Sequence, residues 1–266
     1  MNRDLTDEQI HSLLIAMPSF WHIKEPIERN NNIKGLNNFY SFILRHQKLS
    51  YSQLFQDLFV DFILQGKEEG KFLEFGATNG IELSNSYMLE KTRKWTGVLA
   101  EPDPQWHEDL RRNRPHAEII TDCIYSVSGE EMRFISSAVG ELSGLSKHAQ
   151  ADSGEVSGNT QTRMENYSEI TVATISLNEV CEKYFPGKSL DFISVDTEGS
   201  EYEILSHFDF EKYRPTIAVV EHNFSSSQDN IDALFYRQGY VRLFRHQTEF
   251  DAWYVDHEVA QKRKLI

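Results

Sequence analysis

One stretch, Lys71-Phe-Leu-Glu-Phe-Gly-Ala-Thr-Asn-Gly80, constrains the fold of this chain more than any other. Its apolar run, Phe72-Leu73-Glu74-Phe75, stops at Gly76, and a second glycine follows four residues on. Such a run reads as a short buried strand feeding a tight loop. Glu101, twenty-one residues past Gly80, closes a second apolar run from Trp95 to Ala100. Strand, glycine loop, helix, strand and acid form the grammar of a nucleotide-binding βαβ unit. Glycine lets the backbone come close to a ligand, and a carboxylate at the second strand end can accept both hydroxyls of a ribose.

The remainder of the chain continues that alternation. The reading places a helix over Ser84–Lys91, a second over Gln105–Asn113 with Pro104 at its start, and a third strand over Ala117–Ile120. Cys123–Val127 and Met132–Ile135 flank Ser128-Gly129-Glu130, the pattern of a β-hairpin. Residues 136–168, rich in serine and glycine, read as a long mobile loop. Further on come a strand over Thr171–Ile175, a helix over Ser176–Tyr184, and strands over Leu190–Val195 and Ile217–Val220. A last helix spans Ile231–Arg237, and Tyr240–Arg245 with Asp251–Val255 form a closing antiparallel pair. Strands and helices alternating at this spacing predict a mostly parallel sheet covered on both faces.

Residues 1–50 read as a helical accessory segment, with one helix opening at Thr6 and closing at Pro18 and another over Gly35–His46. Asn30-Asn31-Asn32 is a polar break between them. The main domain is expected over 51–266, starting with a helix capped by Ser50 or Ser52. Trp95, Phe192 and Tyr202 sit at core spacing, and His148 reads as a surface residue.

Strands ending in Glu101, Asp196 and Glu221 share an end with the glycine loop. In open parallel sheets, ligands lie beyond the carboxyl ends of the strands, so these acids are expected around one crevice. A dinucleotide loop requires G-x-G-x-x-G, yet Thr78 stands where its middle glycine belongs. Glu74 also puts a carboxylate where a pyrophosphate would approach. Both features favour a ligand with ammonium and sulfonium charges, S-adenosylmethionine, over a nicotinamide cofactor.

Four motifs occur in order: Glu74-Phe75-Gly76-Ala77-Thr78-Asn79-Gly80, Glu101-Pro102-Asp103-Pro104, Asp196-Thr197-Glu198-Gly199-Ser200-Glu201 and Glu221-His222. Together they resemble the FkbM family of S-adenosylmethionine-dependent methyltransferases, over roughly residue 51 to the C-terminus. Thr197 stands in place of the family's usual valine, and Glu74 where many relatives carry aspartate. The resemblance implies a class I, Rossmann-like α/β fold with seven strands, the last antiparallel, and helices on both faces. It further implies that Glu74, Gly76, Ala77 and Gly80 hold the methionine end of the cofactor and that Glu101 takes the ribose. Asp122 and Cys123 would lie beside the adenine.

Methyl transfer to an alcohol needs a base for the departing proton. His222 fits by its ordinary pKa, and Asp196 is the second candidate. Asp196, Glu221 and His222, with Glu198 nearby, also offer oxygen and nitrogen ligands for Mg²⁺ or Mn²⁺. Ser143-Gly144-Leu145-Ser146 and Arg163, in the long loop, are candidate contacts to a small-molecule or glycan acceptor.

A formal charge of −14 opposes binding to nucleic acid. No apolar run approaches the length of a membrane span. Two cysteines in 266 residues suit a reduced, cytoplasmic setting. The leading expectation is O-methylation of a hydroxyl on a sugar, glycan or small metabolite. The rivals are an NAD-dependent dehydrogenase and a cofactor-binding scaffold without turnover. Oligomeric state is left open by the sequence.

Overall fold

The computed structural model describes residues 33–149, 158–187 and 190–266. The expected helix between Thr6 and Pro18 therefore lies outside the described residues, as does the polar break at 30–32. The glycine stretch folds as read: Lys71–Phe75 is β1, and Thr96–Ala100 is β2, paired parallel to it. Glu118–Ile120 (β3) extends the sheet on one side. Phe192–Val195 (β8) and Ile217–Glu221 (β9) extend it on the other, all parallel. Asp251–Asp256 (β11) then enters antiparallel between β9 and Tyr240–Leu243 (β10), giving seven strands in the order β10-β11-β9-β8-β1-β2-β3. This is the expected α/β, class I methyltransferase topology.

Strand periodicity divides the apolar side chains between two cores. In β9, Ala218 and Val220 enter one cluster, Ile217 and Val219 the other. In β11, Ala252 and Tyr254 alternate with Trp253 and Val255 in the same way. Helices cover both faces. Ile33–His46 (α1), Gln56–Ile63 (α2), Tyr87–Arg93 (α3), His107–Asn113 (α4) and His257–Lys262 (α9) contribute to one cluster. Leu177–Tyr184 (α6), Glu201–Ser206 (α7) and Gln228–Arg237 (α8) contribute to the other.

Three points bear on the sequence reading. First, α1, in the segment read as a helical accessory, packs on the domain. Phe39 stacks on Phe244 at 5.4 Å and meets Phe59 and Trp253 edge-on, so Leu36, Phe39, Tyr40 and Ile43 of α1 share a core with the sheet. Second, neither Ser50 nor Ser52 is the N-cap of α2. Phe55 precedes the helix, and both serines donate instead to the buried Asp57 carboxylate, at 2.6 and 2.7 Å.

Third, Cys123–Tyr125 (β4) and Glu131–Ser137 (β5) do not form a hairpin. Tyr167–Ser176 (β7) runs between them, parallel to β4 and antiparallel to β5. Gly144–Leu145 (β6) completes this second sheet, of order β4-β7-β5-β6. The described parts of 136–168 are thus structured, with 3-10 turns at Gly140–Leu142 and Ser146–His148 and a helix, α5, over Gly158–Glu165. As expected, Trp95 and Phe192 are fully buried and Tyr202 packs against the core. Both thiols, Cys123 and Cys181, are buried and free. Among the described residues, no helix is long and apolar enough to cross a membrane.

Candidate active site

A cavity of about 340 Å³ opens at the carboxyl ends of β1, β2, β8 and β9. β2, β8 and β9 each deliver an acid at that end, Glu101, Asp196 and Glu221, because the strands are parallel and end together. Lining it are eight acidic residues, Glu74, Glu82, Glu101, Glu141, Asp196, Glu198, Glu221 and Asp251, and, among the described residues, no lysine, arginine or histidine.

The glycine loop is built for close approach. Gly76 has φ +66°, and a Cβ there would come within 2.6 Å of the Asp196 carbonyl oxygen, so a side chain would push β1 and β8 apart. Gly76, Ala77 and Thr78 line the cavity. Gly80 does not: a Cβ there would strike Leu110 and Arg114 at 2.6 and 2.7 Å, and its carbonyl accepts from Arg114 at 3.0 Å. Its place in the motif serves the packing of α4, so it leaves the set expected to hold the methionine end.

Glu74 lines the cavity with its carboxylate already engaged. Ser84 Oγ donates at 3.0 Å, the Asn85 N–H at 2.6 Å, and Ser86 Oγ at closer range still. The side chain thus shapes the turn before α3. Glu101 closes the opposite wall: one oxygen accepts the Thr78 N–H and the other the Asp103 N–H, each at 2.8 Å. Burial, above all, pushes its pKa up to about 7. Beside it, Cys123 and Ile124 line the cavity, while Asp122 does not. Burial and the nearby acids push the Cys123 thiol up to about 12, leaving it a neutral packing surface.

At the chemical end, one oxygen each from Asp196, Glu198 and Glu221 lies within 4.8 Å of the others. Asp196 and Glu221 are thus close neighbours, and Oε2 of Glu221 is buried without a hydrogen-bond partner, an arrangement that favours one proton shared between the two carboxylates. Burial raises both, Asp196 to about 7, and Glu221 is raised further by the charges of Asp196 and Glu198. Glu201 organises the preceding turn, accepting from the Thr197 N–H and hydroxyl and from the Gly199 N–H, all at 3.0 Å.

His222 stands apart from this cluster. Successive strand residues point to opposite faces, so Glu221 facing the cavity turns His222 away. Buried, it accepts the Phe224 N–H on Nδ1 at 3.1 Å, with the Arg242 guanidinium 3.1 Å from Nε2. Burial and Arg242 push its pKa down to about 4. It does not line the cavity and lies outside the carboxylate group, which weighs against both its base and its metal-ligand assignment.

Sequence reasoning missed Asp251. The antiparallel register sets it opposite Glu221 at the start of β11, where Gln56 donates to it at 2.8 Å. Only the pairing of a late strand with β9 makes it a site residue, and no local motif announces that. Gln53, Gln56, Asn223 and Phe250 complete this side of the cavity. Ser143 and Leu145 lie on the cavity wall and Gly144 packs close to Glu198, while Ser146 does not line the cavity.

The donor set fits S-adenosylmethionine: a glycine cradle with no room for a Cβ, a strand-end acid beside it, and carboxylates able to offset a cationic charge. The sequence has no match among curated proteins. Solved structures with similarity include precorrin-6y C5,15-methyltransferase from Geobacter metallireducens, at 10% identity over 75% of this chain and 85% of that one, with TM-score 0.40. A TehB-like SAM-dependent methyltransferase from Corynebacterium glutamicum aligns at 9% identity over 82% and 98%, with TM-score 0.39. The N-terminal domain of human METTL16 aligns at 12% identity over 96% of each chain, with TM-score 0.38. The model of the methyltransferase FkbM domain matches residues 74–242, which include the glycine loop and all the strand-end acids but Asp251. The chain belongs to the FkbM family of S-adenosylmethionine-dependent methyltransferases.

Proposed function

We propose that this methyltransferase is an O-methyltransferase acting on an uncharged hydroxyl-bearing acceptor, a sugar, glycan or small metabolite. The observation that supports this most is the cavity lined by acids and by no basic side chain among the described residues. Such a lining attracts the sulfonium and ammonium of the methyl donor and repels phosphate or carboxylate on the acceptor. It therefore weighs against NAD and against nucleic acid.

When bound, S-adenosylmethionine supplies an electrophilic methyl group. Gly76 and Ala77 offer the backbone of the loop to its methionine end, and Glu74 keeps that loop in shape. Glu101 accepts from the ribose hydroxyls, while Cys123 and Ile124 form the wall beside the adenine. Asp196 would be the base, taking the acceptor's hydroxyl proton as the carbon–oxygen bond forms and the donor's carbon–sulfur bond breaks, with S-adenosylhomocysteine as the leaving group. Glu221, by sharing a proton with Asp196, holds that carboxylate in place. Alignment of the acceptor along the methyl axis contributes much of the rate.

A second reading has one specific observation in its favour. The oxygens of Asp196, Glu198 and Glu221 lie close enough together to bind Mg²⁺ or Mn²⁺. A bound ion would replace the proton shared by Asp196 and Glu221, so the two readings exclude each other.

The test is turnover with methyl-labelled S-adenosylmethionine against neutral glycosides, sugar phosphates and RNA. Labelled product from neutral glycosides alone supports the proposal. Label on the phosphates or RNA contradicts the acceptor class. Binding of the donor with no turnover on any acceptor favours a non-catalytic scaffold.

A further inference from the structure

Arg163, a candidate acceptor contact in the sequence, is buried just behind the cavity wall and does not itself line it. Its Nε donates to the Leu142 carbonyl at 2.6 Å and its Nη1 to the Ala149 carbonyl at 2.8 Å. Its Nη2 bonds the Glu198 carboxylate at 2.6 Å, with both side chains almost fully buried. Arg163 is also the one buried side chain of α5; Gln161, Thr162, Met164 and Glu165 are exposed. A helix without an apolar face has little hydrophobic reason to dock. What fastens this one is a guanidinium.

The two ends of that contact belong to different parts of the site. Leu142 and Ala149 lie in the insert between β5 and β7, whose Gly140, Glu141, Leu142, Ser143, Leu145 and Asn159 form the outer wall of the cavity. Glu198 belongs to the carboxylate cluster at the end of β8. Its backbone is left-handed, φ +57°, a conformation that costs a non-glycine residue and is kept where the surroundings impose it. The insert approaches so closely that a Cβ on Gly144 would lie 3.0 Å from that of Glu198.

We infer that Arg163 is a positioning residue, a latch that fastens the β5–β7 insert to the carboxylate cluster and keeps the outer wall closed over the bound cofactor. The inference rests on the cavity taking an S-adenosyl ligand. A ligand behind that wall leaves only after the Arg163–Glu198 contact opens, so the latch sets the release rate. Lysine at 163 keeps the charge but loses the planar fork that reaches two carbonyls and a carboxylate at once.

The experiment follows release of S-adenosylhomocysteine by stopped-flow displacement from the wild type, Arg163→Lys, and the double variant Arg163→Gln/Glu198→Gln. The double variant removes both charges of the pair together and so guards against misfolding of the single one. The latch predicts release about 10- to 100-fold faster in both variants, the loss expected for a charge-assisted contact, with association changed less than about threefold. Release unchanged within about twofold overturns it, even where the melting temperature falls, because a purely structural arginine would show that pattern. Should neither variant fold, hydrogen exchange on the wild-type complex decides. Amides of 158–165 opening at the ligand's release rate support the latch, and rates differing by more than about tenfold overturn it. Failure of the wild type to bind S-adenosylhomocysteine overturns the cofactor reading and the latch with it; binding with unaltered release overturns the latch alone.

Discussion

Replacing Glu101 by glutamine should stabilise the ligand-free protein above neutral pH while weakening its hold on the cofactor. Glu101 is buried, and its pKa rises from 4.5 to about 7 on folding, chiefly through burial. Between those values the folded state binds the proton that the unfolded chain has released, so stability falls as pH rises through this window. A shift of roughly 2.5 units corresponds to about 3 kcal/mol, lost in full above pH 7. Glutamine carries no charge to desolvate but can accept only one of the two backbone N–H groups that Glu101 holds from Thr78 and Asp103. That lost bond costs about 1 kcal/mol. The balance is a gain of about 2 kcal/mol at pH 8, or roughly 4–8 °C in melting temperature, and a loss of about 1 kcal/mol at pH 4, below both pKa values, where wild-type Glu101 is protonated in the folded and the unfolded state.

The same substitution should weaken S-adenosylhomocysteine binding roughly 10- to 100-fold, because the ribose loses a charged acceptor. The assay is a thermal-shift series at pH 4 and pH 8, with and without S-adenosylhomocysteine. A variant less stable than the wild type at pH 8 would refute the desolvation argument. Unchanged ligand stabilisation would refute the ribose assignment.

Asp196→Asn should lower turnover about 10²- to 10⁴-fold, the range for loss of a general base, while isothermal titration shows cofactor binding within a few-fold of wild type. His222→Gln should keep turnover within about threefold yet destabilise the fold by about 1–3 kcal/mol in urea unfolding, because a buried hydrogen-bonding site is disturbed; a loss of turnover as large as that of Asp196→Asn would restore the histidine as base. Treatment with a chelator followed by dialysis should leave initial rates unchanged if Asp196 and Glu221 share a proton, whereas loss restored by Mg²⁺ or Mn²⁺ assigns the cluster to a metal.

Much of the fold was legible because its central strands are short and apolar and stop abruptly. The runs Phe72–Phe75 and Ile217–Val220 fall in β1 and β9, and the run Trp95–Ala100 covers β2 to within one residue, for that reason. Strand order was less so. Ser128-Gly129-Glu130 carries a local turn signal, but β7, which lies some forty residues further on, supplies the partner of both flanking strands. Side-chain parity was also hidden: Glu221 and His222 are adjacent, and only the end of β9 determines which faces the cavity. Gly80 and Gly76 look alike in sequence, yet one packs on α4 and the other cradles the site. Arg163 gave no signal of burial, because its neighbours in α5 are polar and exposed.

The central claim is that this acidic cavity receives an S-adenosyl ligand and not a pyrophosphate-bearing one. Calorimetric titration of the wild-type protein with S-adenosylhomocysteine and with NAD, at pH 8 where Glu101 is ionised, tests it directly. Saturable binding of S-adenosylhomocysteine with no heat from NAD is the predicted result. Saturable binding of NAD without S-adenosylhomocysteine binding would contradict the account.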